Sequence, residues 1–299
     1  MIEVSEVLTP GPAHALGALL GVPVPDLDGG ASLPLLWHWI YLLDRPAQAD
    51  LGPDGHPVRG TVVAPPEPGR RRMWAGGRVR ATGPLRSGQP ATRRSRVRSV
   101  RDKQGRSGRL TFVVVEHQIT QDGRLVIDEQ QDIVYRDAAP PGQPPAMAPD
   151  RPVPPADDEW AIDVSPTLLF RFSALTYNAH RIHYDRDYAR DAEGYPGLLT
   201  HGPLQALAMA EAARALGASG PGSGGDQYFE YRLTAPLFDG QGMVVRAVRE
   251  QGATTTAVRD RYGRPTASGT FRSPHPPPTS PSLSTSPVTR ACAEEGGAA

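Results

Sequence analysis

Residues 82–89, Thr-Gly-Pro-Leu-Arg-Ser-Gly-Gln, recur 152 positions later as Thr-Ala-Pro-Leu-Phe-Asp-Gly-Gln at 234–241. Both copies read T-[GA]-P-L-x-x-G-Q, and each introduces an alternating run, Arg94–Val100 in one case and Val244–Val248 in the other. One strand–turn device used twice at this spacing constrains the fold more than any other feature, because it points to a duplicated unit. Between the copies lies a segment, 138–157, too rich in proline for a helix or a central strand. The expected organisation is therefore a first half over 1–137, a linker over 138–157, a second half over 158–273 and a disordered tail over 274–299. In that tail, runs such as Pro276-Pro277-Pro278 bury too little apolar surface to offset ordering entropy.

After each copy the pattern is that of antiparallel strands. In the first half these are Arg109–His117 and Leu125–Tyr135, separated by Gln121-Asp122-Gly123. In the second they are Tyr228–Leu233, Met243–Arg249, Thr254–Arg259 and Pro265–Phe271, with a turn at Tyr262-Gly263-Arg264. The clearest helix is Pro203–Leu216, with Gly202 placed to cap it and Gly217 to end it. Its small side chains would let a curved sheet wrap it closely. A helix followed by four or five antiparallel strands, twice over, is an α+β plan.

Composition narrows the function. The 299 residues carry 32 basic and 32 acidic side chains, so no net field draws the chain to nucleic acid or an anionic membrane. A single cysteine, Cys292, excludes an internal disulfide framework and multi-cysteine metal sites. The longest apolar run, Leu33–Leu43, contains His38 and is short of the ~20 residues that span a bilayer. The acidic start, Met1-Ile2-Glu3-Val4-Ser5-Glu6, lacks the order of a secretory signal. The expectation is a soluble, cytoplasmic protein. No dinucleotide fingerprint, P-loop or G-x-S-x-G elbow is present.

Chemistry concentrates in residues 171–203, where three of the eight histidines, His180, His183 and His201, stand beside Asn178, Tyr184 and Asp185. Histidine moves protons near neutral pH. His201-Gly202 falls at a helix N-terminus, where unpaired N–H groups and the helix dipole can hold a developing oxyanion; the Gly202 N–H is the donor expected to do so. Each residue also has a plainer reading. His180 is as readily structural as functional, and His201 is expected to orient the loop rather than act as a base. Asp185, if on a strand, would share the face of His183. The spacing of His180, His183 and Asp185, with or without His201, matches no familiar zinc pattern, so no metal is expected. Arg70-Arg71-Arg72 and Arg93, Arg94, Arg96 and Arg98 could meet phosphates, but most read as a solvated strand face.

The strings N-x-H-x-I-H-Y-D (178–185) and G-Y-P-G-L-x-x-H-G-P (194–203) resemble the MaoC-like and type 2 3-hydroxyacyl-thioester dehydratase families, most of all the mesaconyl-C4-CoA (3-methylfumaryl-CoA) hydratase branch. The first half resembles the same branch through Trp37-His38-Trp39, Gly55-His56-Pro57, Arg72–Gly77 and Gln131–Arg136. The resemblance implies a double hotdog, each half an antiparallel sheet wrapped around a central helix. It implies a hydro-lyase that adds water reversibly to an α,β-unsaturated acyl-CoA, with coenzyme A or phosphopantetheine part of the substrate and no separate cofactor. In the simpler members the motif is D-x-N-P-x-H; aligning its histidine on His183 puts Asn178 where the aspartate belongs. A carboxamide cannot accept that proton. His183 is then the acid/base and Asn178 positions water or substrate. The second proton carrier stays open among Asp185, Tyr184 and a carboxylate from the first half. Tyr184, Asp185, His180 and His201 are supporting residues. Partners follow as an acyl-CoA and a second copy in a homodimer. Dehydration on acyl carrier protein is the adjacent alternative; a hotdog thioesterase, or an acyl-thioester binder without activity, is the alternative of another class.

Overall fold

The computed structural model describes residues 1–58, 70–105, 108–137, 151–218 and 226–272. The expected tail over 274–299 and all of the expected linker before residue 151 lie outside the described residues. From residue 151 onward that segment lies on the second half: Val153 donates its N–H to Arg261 O (2.7 Å), and Arg259 donates to the carbonyls of Val153 and Pro154.

Ten strands form one antiparallel sheet: β1 (Ile2–Val7), β2 (Arg70–Ala81), β3 (Pro90–Gly105), β4 (Gly108–Gln121), β5 (Arg124–Asp137), β6 (Glu159–Ile162), β7 (Gln227–Leu233), β8 (Met243–Glu250), β9 (Ala253–Arg259) and β10 (Pro265–Arg272). Their order across the sheet is β1-β3-β4-β5-β2-β7-β10-β9-β8-β6. Read outward from the β2–β7 seam, the two halves are the same: β2-β5-β4-β3-β1 on one side and β7-β10-β9-β8-β6 on the other. This is the double hotdog. At the seam Gly76–Ala81 pair with Gln227–Arg232, so the duplicated units share one continuous ladder.

The two T-[GA]-P-L copies occupy equivalent corners. Thr82 and Thr234 follow β2 and β7, and each donates its N–H to the neighbouring strand, to Val126 O (2.9 Å) and Thr266 O (2.8 Å). Leu85 O accepts from the Leu33 N–H, as Leu237 O accepts from the Thr200 N–H. Gly88 and Gly240 donate to Leu8 O and Val164 O, just past β1 and β6. The β4–β5 hairpin closes on Asp122-Gly123, both at positive φ (51° and 71°), the conformation a two-residue turn needs to match strand twist.

Among the described residues four helices accompany the sheet: α1 (Pro10–Leu20), α2 (Pro166–Leu175), α3 (Arg186–Asp191) and α4 (Gly202–Ala215). Nine side chains of α4 are buried, from Leu204 to Ala213. Such all-round burial is tolerable because four of the nine are alanine, so the sheet can approach on several sides. The cap differs from the sequence reading: His201 is the N-cap, Gly202 is the first helical residue and Leu216 is the C-cap. The buried polar exceptions on α4 are satisfied. Glu211 accepts from Trp37 Nε1 (2.8 Å) and from Arg214, and Gln205 accepts from the Thr266 hydroxyl (2.8 Å). In the first half the region facing the sheet is built differently, from the 3₁₀ turn Trp37–Ile40 and the buried Leu33–Leu42 segment, with α1 packed on α2 and on that turn.

Candidate active site

The catalytic-type segment is irregular backbone between α2 and α4, held by its own polar groups. Ser165 caps α2 by accepting from Leu168 N–H, and the chain leaves that helix through Tyr177 at φ 51°. Asn178 Oδ1 accepts the His180 N–H at 3.0 Å, an Asx turn that fixes the loop and leaves the amide NH₂ free for other partners. His183 lies in a 3₁₀ turn, Arg181–His183, not on a strand. Asp185 therefore does not share its face. Asp185 caps α3 by accepting from Tyr188 N–H and pairs with Arg181 at 2.8 Å, so its carboxylate is committed to local structure and it does not line the cavity.

A cavity of about 1140 Å³ opens where the halves meet. Asn178, His180, His183, Tyr184 and Gly202 line it, as do His56 and Arg72 from the first half. Tyr184 is half-exposed, and its hydroxyl donates to Ala179 O. His183 Nδ1 donates to Leu199 O at 2.7 Å, since a carbonyl can only accept; in the neutral ring this leaves Nε2 as a lone pair. Burial lowers the His183 pKa to about 4, against the raising effect of the Leu199 bond, and the nearby His56 lowers it further. The ring is therefore a neutral base at physiological pH.

His201 stacks on His183 with ring centroids 3.6 Å apart, and its Nε2 meets Ser173 Oγ at 2.9 Å. Burial holds the His201 pKa well below the usual value. The stack sets His183 beside the α4 N-terminus, whose Gly202 N–H has no helical acceptor. A Cβ at Gly202 would come within 2.2 Å of Leu233 Cδ1, so a side chain here would force Leu233 to move.

The residues that sequence reasoning missed come from the first half. The loop around Gly55 lies against the catalytic segment: Arg181 N–H donates to Asp54 O (2.9 Å), and Arg181 Nη1 donates to Pro53 O (3.0 Å). A Cβ on Gly55, at φ 86°, would stand 1.8 Å from Ala179 O. This contact brings His56 against His180, with centroids 3.9 Å apart. Asp54 accepts from both the backbone N–H and Nδ1 of His56, the latter at 3.1 Å. Burial lowers the His56 pKa, Asp54 raises it, and Arg72 lowers it again. His180 is pushed down by burial and then by His56, His183, Arg72 and His201. Gly55-His56-Pro57 is a visible string, but nothing local says that it faces residue 180.

The ligand atoms of Asp54, His56 and His180 lie within 4.8 Å of one another, a donor set open to a divalent metal. Of the four residues weighed from the sequence as ligands, His180 alone belongs to this set; Asp185 is turned to Arg181 instead. The Asp54–His56 hydrogen bond and the positive charge of Arg72 next to the group weigh against a cation there. The arginines expected on a strand face are mostly paired: Arg94 with Glu3 and Arg96 and Arg98 with Glu116 at the surface, and Arg93, which lines the cavity, with Asp44.

Beyond these, a buried cluster borders the first-half wall. Glu129 accepts from Trp39 Nε1 (2.8 Å) and Gln131 Nε2 (2.8 Å) and bonds His38 Nε2 (2.9 Å).

Residues 36–239 match the family model for hydroxyacyl-thioester dehydratase type 2. The chain belongs to that family. Membership makes it a hydro-lyase acting on acyl thioesters. It is 51% identical over 230 residues to the mesaconyl-C(4)-CoA hydratase of Chloroflexus aurantiacus, covering 76% of this chain and 79% of the relative. Over 82 residues, 27% of each chain, it is 39% identical to the mitochondrial hydroxyacyl-thioester dehydratase type 2 of Schizosaccharomyces pombe. Among solved structures it resembles HtdX of Mycobacterium tuberculosis (TM-score 0.64, 16% identity, 91% of this chain and 99% of that one). A MaoC-like dehydratase of Phytophthora capsici gives a TM-score of 0.65 at 17% identity, over 91% and 95%. These two likenesses concern the fold. Among the described residues no helix is long and apolar enough to cross a membrane.

Proposed function

We propose that the protein hydrates an α,β-unsaturated acyl-CoA of the mesaconyl-C4 type, reversibly, with His183 as the base. The observation that carries this reading is the His183 imidazole: buried in the cavity wall, neutral, tautomerically fixed by Leu199 and stacked beside the N-terminus of α4. The 51% identity to a mesaconyl-C(4)-CoA hydratase supports the substrate class.

In the proposed step water loses a proton to His183 Nε2 while its oxygen bonds to Cβ. The π pair moves onto Cα and the thioester oxygen, and the Gly202 N–H meets the charge developing there. Cα then takes a proton and the ring returns to its neutral state. Asn178 cannot carry that proton; its NH₂ orients water or substrate. His56, paired with Asp54, is a second imidazole in the same space and can relay the proton where the simpler motif has an aspartate. Tyr184 shapes the cavity entrance and His180 packs between the two imidazoles. His201 holds the stack. The chemistry uses side-chain proton transfers and needs no cofactor beyond the coenzyme A of the substrate.

The test is to incubate pure protein with mesaconyl-C4-CoA and with crotonyl-CoA while following enoyl absorbance and free thiol. Loss of absorbance without thiol is the expected result for mesaconyl-C4-CoA. Thiol release would mean hydrolysis, and no change with either substrate would remove the hydratase reading.

A further inference from the structure

Arg72 sits where a guanidinium needs a partner, and no carboxylate of the described residues pairs with it. It stands on β2 and lines the cavity, where burial lowers its pKa. Its neighbours along the chain and around the sheet are paired: Arg71 with Glu193 (2.8 Å), Arg78 with Asp132 (2.8 Å) and Arg93 with Asp44. Among the described residues no carboxylate forms an ion pair with Arg72. Tyr135 and, more weakly, Asp54 act on it through their charge, the Asp54 carboxylate being engaged by the backbone and ring of His56. Arg72 lines the same cavity as His56, His180 and His183, and two residues along β2 Trp74 Cβ stands 3.6 Å from the Cβ position of Gly202, so this strand passes the N-terminus of α4.

An unpartnered guanidinium in a cavity wall is costly unless a ligand completes it. Its planar fork suits a carboxylate, bound through two parallel hydrogen bonds. In 3-methylfumaryl-CoA the second carboxylate is attached to Cβ, the carbon that water attacks, so it must lie next to the histidines in any productive pose. Resting on the hydration reading above, we propose that Arg72 is the binding residue for a carboxylate carried on Cβ of the acyl group. It selects dicarboxylic half-thioesters over plain enoyl chains. It also neutralises a charge that would otherwise repel the incoming water oxygen. The phosphates of coenzyme A are a poor alternative partner, because the pantetheine arm holds them away from the thioester and hence from the histidines.

The experiment compares two unreactive CoA esters of the same skeleton: 3-methylsuccinyl-CoA, with a carboxylate on Cβ, and isovaleryl-CoA, with a methyl group in its place. Binding of each is measured by calorimetry to the wild type, Arg72→Met and Arg72→Lys. The wild type should prefer the carboxylate ester by about 10- to 150-fold, the range for hydrogen bonds to a charged group. Arg72→Met should lose the preference while binding isovaleryl-CoA as before, and Arg72→Lys should keep part of it. A preference that survives in Arg72→Met overturns the proposal. So does equal loss of both ligands, the mark of a structural role, or a wild type without the preference. Turnover of mesaconyl-C4-CoA by the wild type is read separately: its absence removes the reaction assigned above, whereas turnover with an unchanged preference in Arg72→Met removes only the role of Arg72.

Discussion

The rings of His56 and His180 lie 3.9 Å apart although 124 residues separate them in the chain. One belongs to the first hotdog half and the other to the second. The second half carries most of the motif, yet its cavity is finished by a loop of the first, so the proposed site is composite.

Gly55→Ala tests that contact. A methyl group 1.8 Å from Ala179 O, at φ 86°, forces the loop off the catalytic segment. Turnover should fall more than about 10-fold while stability falls by only ~1–2 kcal/mol, the usual scale for strain at one backbone position. Denaturant titration beside steady-state kinetics separates the two; equal behaviour to the wild type would show that the loop plays no part in the site.

His183→Ala should lower kcat by ~10²–10⁴-fold, the range for loss of a general acid/base, with thioester binding retained. The pH profile carries the same information. Since the His183 pKa is lowered to about 4, the active neutral ring is fully present at neutral pH. The rate should decline only as pH falls through about 4, tenfold per unit, read in short assays before acid unfolding.

Asn178→Asp gives a sharper comparison. The new carboxylate can still accept the His180 N–H, so the loop should keep its shape. What is lost is the NH₂ donor, and what is gained is a negative charge where a dicarboxylic substrate must fit. A decrease in kcat/KM of about 10- to 100-fold is expected for losing one such donor. A rise in activity would mean that the site works by the simple aspartate mechanism.

Glu129 governs acid stability in the first half. Burial alone would raise its pKa, but the bonds and charge of His38, with help from His117 and Gln131, hold it down at about 2. A depressed carboxyl pKa contributes stability above the ordinary carboxylate range, and that contribution is lost as pH falls toward 2. Glu129→Ala should cost ~3–5 kcal/mol at pH 7, as breaking a buried polar pair does. Urea unfolding of the variant should show less acid dependence than the wild type; an identical slope with pH would remove Glu129 from the account.

Local chemistry wrote much of this molecule into its sequence. The T-[GA]-P-L corners, the alternating strands, the Asp122-Gly123 turn and the alanine-rich α4 each follow from neighbours in the chain. Even the pairing of β2 with β7 at the seam is the natural meeting of two copies. His183, Asn178 and Gly202 were legible for the same reason, since they lie within 25 consecutive residues. Asp185 would share the face of His183 only on a strand, and the chain there runs instead through a 3₁₀ turn into a helix that Asp185 caps. Asp54, His56 and Arg72 could not be found this way. Their neighbours in the cavity are distant in sequence, and an arginine reads the same whether it faces water on a strand or turns inward without a partner. Only the closing of one sheet across both halves decided which it was.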